Sequence, residues 1–252
     1  MTETLKNAAD ALREAVGSFR NRSTAAIVVA AGNGTRMGGQ TPKQFLNLCG
    51  MPVVVHALKA FEESVYITET VVVCRAGDEP LYEEFREEFG LRKITAIVPG
   101  GKTRQESVLC GVEAVSKKTA FVAIADGARP LVTPEMISSV CLEAYRYGAA
   151  TAAVPATDTV KIAEKGFIGE TVDRSKVWLA QTPQVFGLAA YRAAAYSSLE
   201  ERFEATDDNS LCEHIGIKVR AVDCGKENIK ITEQVDMAIA EAVIGFRKRN
   251  VK

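Results

Sequence analysis

From Ala25 onward the chain alternates two kinds of apolar spacing. Short runs rich in Val, Ile and Ala, at 25–31, 70–74, 93–98, 120–125 and 149–155, read as strands. The stretches between them, about 52–63, 79–89, 104–116 and 134–147, carry apolar residues at three- and four-residue steps and read as helices. This alternation predicts an α/β fold, a Rossmann-like, mostly parallel sheet flanked by helices, with ligands beyond the carboxyl ends of the strands. After Pro155 the regularity breaks. Thr157 to Ile162 and Phe167 to Val172 read as two strands joined by a tight turn at Glu164-Lys165-Gly166. An isolated hairpin is only marginally stable in water, so this one, in an arm at about 156–178, is expected to lie against the parent domain or a partner subunit. Helices near 187–200, 207–215 and 233–248, with a strand at 217–223, complete a domain over 25–248.

Residues 1–24 have a different pattern. Leu5, Leu12, Val16 and Phe19 recur at helical spacing beside Lys6, Asp10, Arg13, Glu14 and Arg20, which predicts an amphipathic helical extension. Its acidic residues argue against a targeting peptide and for a helix packed on the domain or on a second subunit.

Charge narrows the function. In 252 residues, 31 Lys and Arg balance 32 Asp and Glu, which excludes a broad basic surface for nucleic acid or membrane and leaves local clusters to interpret. No apolar run approaches the ~20 residues that span a bilayer, and the amino terminus lacks a continuous apolar signal segment. The six cysteines are scattered, with no Cys-x-x-Cys pair and only two histidines beside them. Free thiols in a soluble, cytoplasmic protein are expected.

Candidate chemistry begins at the first strand, which runs into Ala30-Ala31-Gly32-Asn33-Gly34-Thr35-Arg36 and then Thr41-Pro42-Lys43-Gln44-Phe45. Glycines let backbone N–H groups approach an anion closely, and Arg36 and Lys43 supply cations with no acidic residue nearby, so the segment suits a polyphosphate. Two common phosphate templates fail. The dinucleotide fingerprint needs a third glycine where Met37 stands, and a Walker loop ending at Gly101-Lys102-Thr103 needs a glycine where Ala96 stands.

Three further strings accompany this turn: Gly100-Gly101-Lys102-Thr103-Arg104-Gln105-Glu106-Ser107-Val108, Asp126-Gly127-Ala128-Arg129-Pro130 and Gln181-Thr182-Pro183-Gln184-Val185-Phe186. With Thr206-Asp207 and Asn228-Ile229-Lys230-Ile231-Thr232, the set resembles the 2-C-methyl-D-erythritol 4-phosphate cytidylyltransferase family of the non-mevalonate isoprenoid pathway, over nearly all of 24–245. The resemblance implies a nucleotidyltransferase fold whose hairpin is a dimerisation arm, and an enzyme that joins CTP to methylerythritol phosphate and releases pyrophosphate. It implies that Arg36, Lys43 and Lys230 are catalytic, and that Ala30, Ala31, Gly32, Asn33, Gly34, Gly101, Ser107, Asp126 and Gly127 bind CTP. Arg129, Thr159, Arg174, Thr182, Thr206 and Lys230 would bind the acceptor, with Thr159 and Arg174 acting across a homodimer. Asp126 would bind Mg2+ directly or through water.

Two departures from the family pattern stand out. Lys102 occupies a position that is often acidic, and Ala125-Asp126-Gly127 replaces the usual His-Asp-Ala. The open alternatives are a ribitol-5-phosphate cytidylyltransferase, which would differ only in the acceptor pocket, and a non-catalytic nucleotide-binding homologue. Retention of Arg36, Lys43, Asp126 and Lys230 argues against the latter.

Overall fold

A computed structural model describes residues 22–32 and 42–250. The expected amino-terminal helix, and Asn33, Gly34 and Arg36 of the glycine turn, lie outside these residues. The first strand, β1 (Thr24–Val29), is central, buried on both sides and parallel to its two neighbours. Its alternation divides the core. Ala26 and Val28 pack with Val54, Leu58 and Phe61 of α1 (Val53–Glu63), with Tyr82 and Phe85 of α2 (Glu79–Glu88), and with Ile137 and Val140 of α4 (Pro134–Tyr147). Ala25 and Ile27 face the opposite layer, with Val108 and Val112 of α3 (Arg104–Ala114), Tyr191 of α5 (Leu188–Glu201) and Leu211 of α6 (Asp208–His214). Burial on both faces is why the parallel strands read as uninterrupted apolar runs.

The other strands are β2 (Asn47–Leu48), β3 (Met51–Pro52), β4 (Ile67–Cys74), β5 (Ile94–Pro99), β6 (Phe121–Asp126), β7 (Ala149–Pro155), β8 (Lys161–Glu164), β9 (Phe167–Thr171), β10 (Trp178–Gly187) and β11 (Arg220–Asp223). Among the described residues, seven strands form one sheet in the order β11-β7-β10-β6-β1-β4-β5. The chain leaves β1 toward β4 on one side and returns to β6 on the other, so the strand order reverses at β1, where open α/β sheets place their ligands.

The short β2 and β3 were not expected, and neither was one strand of the large sheet. The string containing Gln181 to Phe186 lies within β10, which runs antiparallel to both β6 and β7. Its register with β7 shifts between Ala180 and Gln184. Pro183, which has no N–H for the ladder, falls in that irregular stretch. The hairpin begins later than its sequence pattern suggests, pairing Lys161–Glu164 with Phe167–Thr171. Lys165 and Gly166 both have positive φ, 50° and 87°, as a two-residue turn matched to strand twist requires. Every residue of β8 and β9 is exposed, including Ile162, Phe167 and Ile168.

The last helix, α7 (Gln234–Asn250), encloses a smaller cluster in which Ala240 packs with Leu48, Val53, Leu131 and Ile231. The cluster fixes the segment that carries Lys230.

Candidate active site

Loops following β1 and β5, together with the end of β6, converge on a cavity of about 400 Å³, lined among others by Ala30, Ala31, Gly32, Gly101, Ser107 and Asp126. Lys43 and Lys230 also reach it. The first loop is held from beneath. Ala30 N donates to Val73 O (2.7 Å), and the buried Gln44 amide donates to Ala30 O (3.1 Å) and Gly32 O (3.3 Å). Gln44 thus has a structural role in the string Thr-Pro-Lys-Gln-Phe that sequence reading did not assign. Lys43, in a short 3-10 turn after Pro42, donates from Nζ to Ile231 O at 2.8 Å and so ties that turn to the segment bearing Lys230.

The second wall is the amino-terminal turn of α3. Thr103 Oγ1 accepts from Glu106 N, while Glu106 Oε2 accepts from Lys102 N and Thr103 N, a capping box that fixes this turn. Ser107 is buried, and its hydroxyl donates to Thr103 O at 2.8 Å. A hydroxyl that donates along its own helix keeps acceptor lone pairs for another group. Lys102 is among the residues lining the cavity, and its backbone N–H belongs to the cap.

The floor is Asp126. Burial alone would raise its carboxyl pKa, but Lys230, Arg104 and Arg129 outweigh burial and hold it below the usual carboxylate range. Lys230 Nζ lies 2.8 Å from Oδ2, Arg129 Nε 3.7 Å from the same oxygen, and Arg104 Nε 3.6 Å from Oδ1. The Asp126 backbone is set by Thr182, whose Oγ1 accepts from Asp126 N at 3.0 Å. Gly127 lies behind the floor, not in the lining. A methyl there would meet Val54 Cγ2 at 3.0 Å and Ala30 Cβ at 3.1 Å, so glycine suits this tight junction between the ends of β1 and β6.

The acceptor-binding expectations divide. Lys230 is in the cavity, Thr182 supports Asp126 from below, and Arg129 is tied behind it by a 2.7 Å bond from Nη1 to Asn228 O. Thr206 is exposed beside the start of α6, with Oγ1 3.3 Å from Ser210 Oγ. Thr159 and Arg174 belong to the arm and line no part of the cavity of their own chain; Arg174 Nη1 donates to Thr157 O at 2.7 Å. Sequence reading missed Arg104, which lines the cavity and contacts Asp126 and Asp208. Its place in the second string was visible, but its partners are far away in the chain.

A family model described as 2-C-methyl-D-erythritol 4-phosphate cytidylyltransferase matches residues 24–246. The chain belongs to that family. A cytidylyltransferase from Pelotomaculum thermopropionicum is 46% identical over 226 residues, covering 89% of this chain and 95% of the relative. One from Caldanaerobacter subterraneus is 43% identical and covers 87% and 97%. Among solved structures, a 4-diphosphocytidyl-2C-methyl-D-erythritol synthase from Anaerococcus prevotii superposes with a TM-score of 0.80 at 27% identity, covering 91% of this chain and 99% of that one. The Thermus thermophilus cytidylyltransferase gives 0.72 at 32% identity, covering 87% and 98%. The family match selects methylerythritol phosphate over ribitol phosphate as the acceptor, and this cytidylyltransferase is a nucleotidyltransferase of isoprenoid precursor biosynthesis. Among its described residues no helix is long and apolar enough to cross a membrane.

Proposed function

We propose that the cavity transfers CMP from CTP to 2-C-methyl-D-erythritol 4-phosphate, giving 4-diphosphocytidyl-2-C-methyl-D-erythritol and pyrophosphate in the cytoplasm. The observation that carries this reading is the convergence of three strand-end loops around one carboxylate ringed by cations, in a chain of this family. The attacking phosphate oxygen is already an anion, so no strong base is required. The difficulty is bringing two anions together while charge builds on the α-phosphoryl oxygens and the leaving pyrophosphate.

Each group then has a role. Backbone amides of the turn after Ala30, whose own N–H is committed to Val73 O, hold the triphosphate, and Arg36, Lys43 and Lys230 stabilise its developing charge. Gly101 and Ser107 face the cytosine, and Arg129, Thr182, Thr206 and Lys230 form the acceptor side. Asp126 fits a hard divalent cation as a single carboxylate anchor, the pattern of Mg2+ sites completed by phosphate and water. Among the described residues there is no cluster of three or more His, Cys, Asp or Glu that would make an all-protein metal cage. Bound Mg2+ would supply positive charge to offset that of the phosphates.

Ser107 makes the base assignment testable. Because its hydroxyl donates to Thr103 O, it faces the base as an acceptor, which matches the amino group of cytosine and not the carbonyl of uracil. Ser107→Ala should lower kcat/KM for CTP by about tenfold and leave the low activity with UTP nearly unchanged. An unaltered ratio of CTP to UTP activity would remove Ser107 from base recognition.

The exposed arm, with Phe167 81% and Ile168 68% accessible, fits a homodimer in which Thr159 and Arg174 serve the neighbouring cavity. Pyrophosphate release from CTP tests both acceptor and arm. Wild-type protein should release it with methylerythritol phosphate and not with ribitol 5-phosphate; the reverse result refutes the assignment. Arg174→Ala and Lys43→Ala subunits, each nearly inactive alone, should regain part of the activity when mixed. Verified mixed dimers that stay inactive would overturn the action across subunits.

A further inference from the structure

Asp208 is a carboxylate the reaction has not used. Its side chain is 1% accessible, a costly position for a charge unless something fixes it there. Tyr191 OH donates to Oδ1 at 2.7 Å, and Arg104 Nη2 lies 2.7 Å from Oδ2. The backbone is fixed as well. Asp208 N and Asn209 N both donate to Gln184 Oε1, and Gln184 Nε2 donates in turn to Asp207 Oδ2. The carboxylate is therefore held on the side away from the cavity, with Arg104 stretched between it and Asp126.

The two contacts of Arg104 are unequal. It lies 2.7 Å from Asp208 but 3.6 Å from Asp126 Oδ1, while Lys230 occupies the other Asp126 oxygen at 2.8 Å. If Arg104 also closed on Asp126, both oxygens of the floor carboxylate would be covered by protein cations. We propose that Asp208, anchored by Tyr191, is a positioning residue that tethers Arg104 away from Asp126 and so keeps Oδ1 available to a divalent cation. The tether links α6, beside which Thr206 stands on the acceptor side, to α3, which forms the wall on the CTP side. It rests on the reading of Asp126 as a cation ligand.

Freed from Asp208, Arg104 would contract from 3.6 Å to ordinary ion-pair contact with Asp126. At an effective dielectric constant of about 20, that gain in attraction corresponds to roughly tenfold weaker binding of a competing cation. The test is titration of the full chain with Mn2+ and CTP in the absence of acceptor, with bound Mn2+ read from water-proton relaxation and thermal unfolding followed in parallel. Asp208→Asn should weaken Mn2+ binding about tenfold, and the milder Tyr191→Phe about twofold. The double variant Arg104→Gln/Asp208→Asn should restore binding, because the competing cation is gone.

A purely structural ion pair between α3 and α6 would lower thermal stability without this pattern. Unchanged Mn2+ affinity in Asp208→Asn, or a double variant as weak as the single one, overturns the tether. Should Asp208→Asn not fold, Tyr191→Phe and Asp208→Glu carry the same comparison, and unchanged affinity in both overturns it equally. Asp126→Asn separates the two levels: if it leaves Mn2+ binding intact, the ligand assignment fails and the tether with it. If it weakens binding while Asp208→Asn does not, only the tether fails.

Discussion

Lys43→Ala should lower kcat by about 10²- to 10³-fold while changing the KM for CTP by no more than a few-fold. The size follows from removing one preorganised charge from a site where negative charge develops, a loss of about 3–4 kcal/mol of transition-state stabilisation. Lys43 is preorganised in a specific sense: its Nζ is held 2.8 Å from Ile231 O, on the segment that also carries Lys230. It therefore needs no large rearrangement when the triphosphate arrives. Ground-state binding is shared with the backbone amides and the other cations, so KM should move less than kcat. The lost hydrogen bond to Ile231 is worth about 1 kcal/mol of stability, which thermal unfolding measures separately. A variant with unchanged kcat would refute the assignment.

What the sequence made legible, and what it did not, divides along physical lines. Parallel strands buried on both faces appear as plain apolar runs, which is why β1, β4, β6 and β7 and the helices between them could be placed to within a few residues. Strand β10 broke that rule. Gln181, Thr182 and Gln184 are polar yet buried, because the side chain of each meets a particular distant partner. Gln181 accepts from Asn228, Thr182 accepts from the Asp126 backbone, and Gln184 accepts from the start of α6. A strand that spends its side chains on the site loses the alternation that would reveal it.

The site divides in the same way. Lys43, Ser107, Asp126 and Lys230 were legible because each belongs to a short string, and the structure brings all four to one cavity. Arg104 stood in such a string too. What makes it matter is its pair of carboxylates, one of them 104 positions later at Asp208, and a partner at that separation leaves no local signal. Thr182 was placed on the acceptor side by resemblance, and the structure adds a second role, holding the Asp126 backbone.

Gly111→Val should be the most damaging single change in the sheet-facing side of α3. A Cβ at Gly111 would lie 2.5 Å from Ile27 Cγ2 and 2.9 Å from Val73 Cγ2. Both neighbours are fully buried on adjacent parallel strands, so neither can swing into solvent, and α3 itself would have to lift. Overpacking of this kind costs about 2–4 kcal/mol, and the helix propensity that valine gains over glycine offsets only a few tenths of a kcal/mol. For a chain of this length each kcal/mol lowers Tm by roughly 2–4 °C, so a fall of about 4–16 °C is expected in a thermal melt. The damage should also reach catalysis. The amino-terminal turn of α3 carries Ser107 and Arg104, and a small displacement of that wall moves the groups facing the base and the floor carboxylate. At a temperature where the variant is still folded, kcat/KM for CTP should therefore fall by about tenfold or more. A variant with wild-type Tm would show that α3 can shift without strain, and one with lowered Tm but intact kcat/KM would show that the wall of the site is not set by this packing.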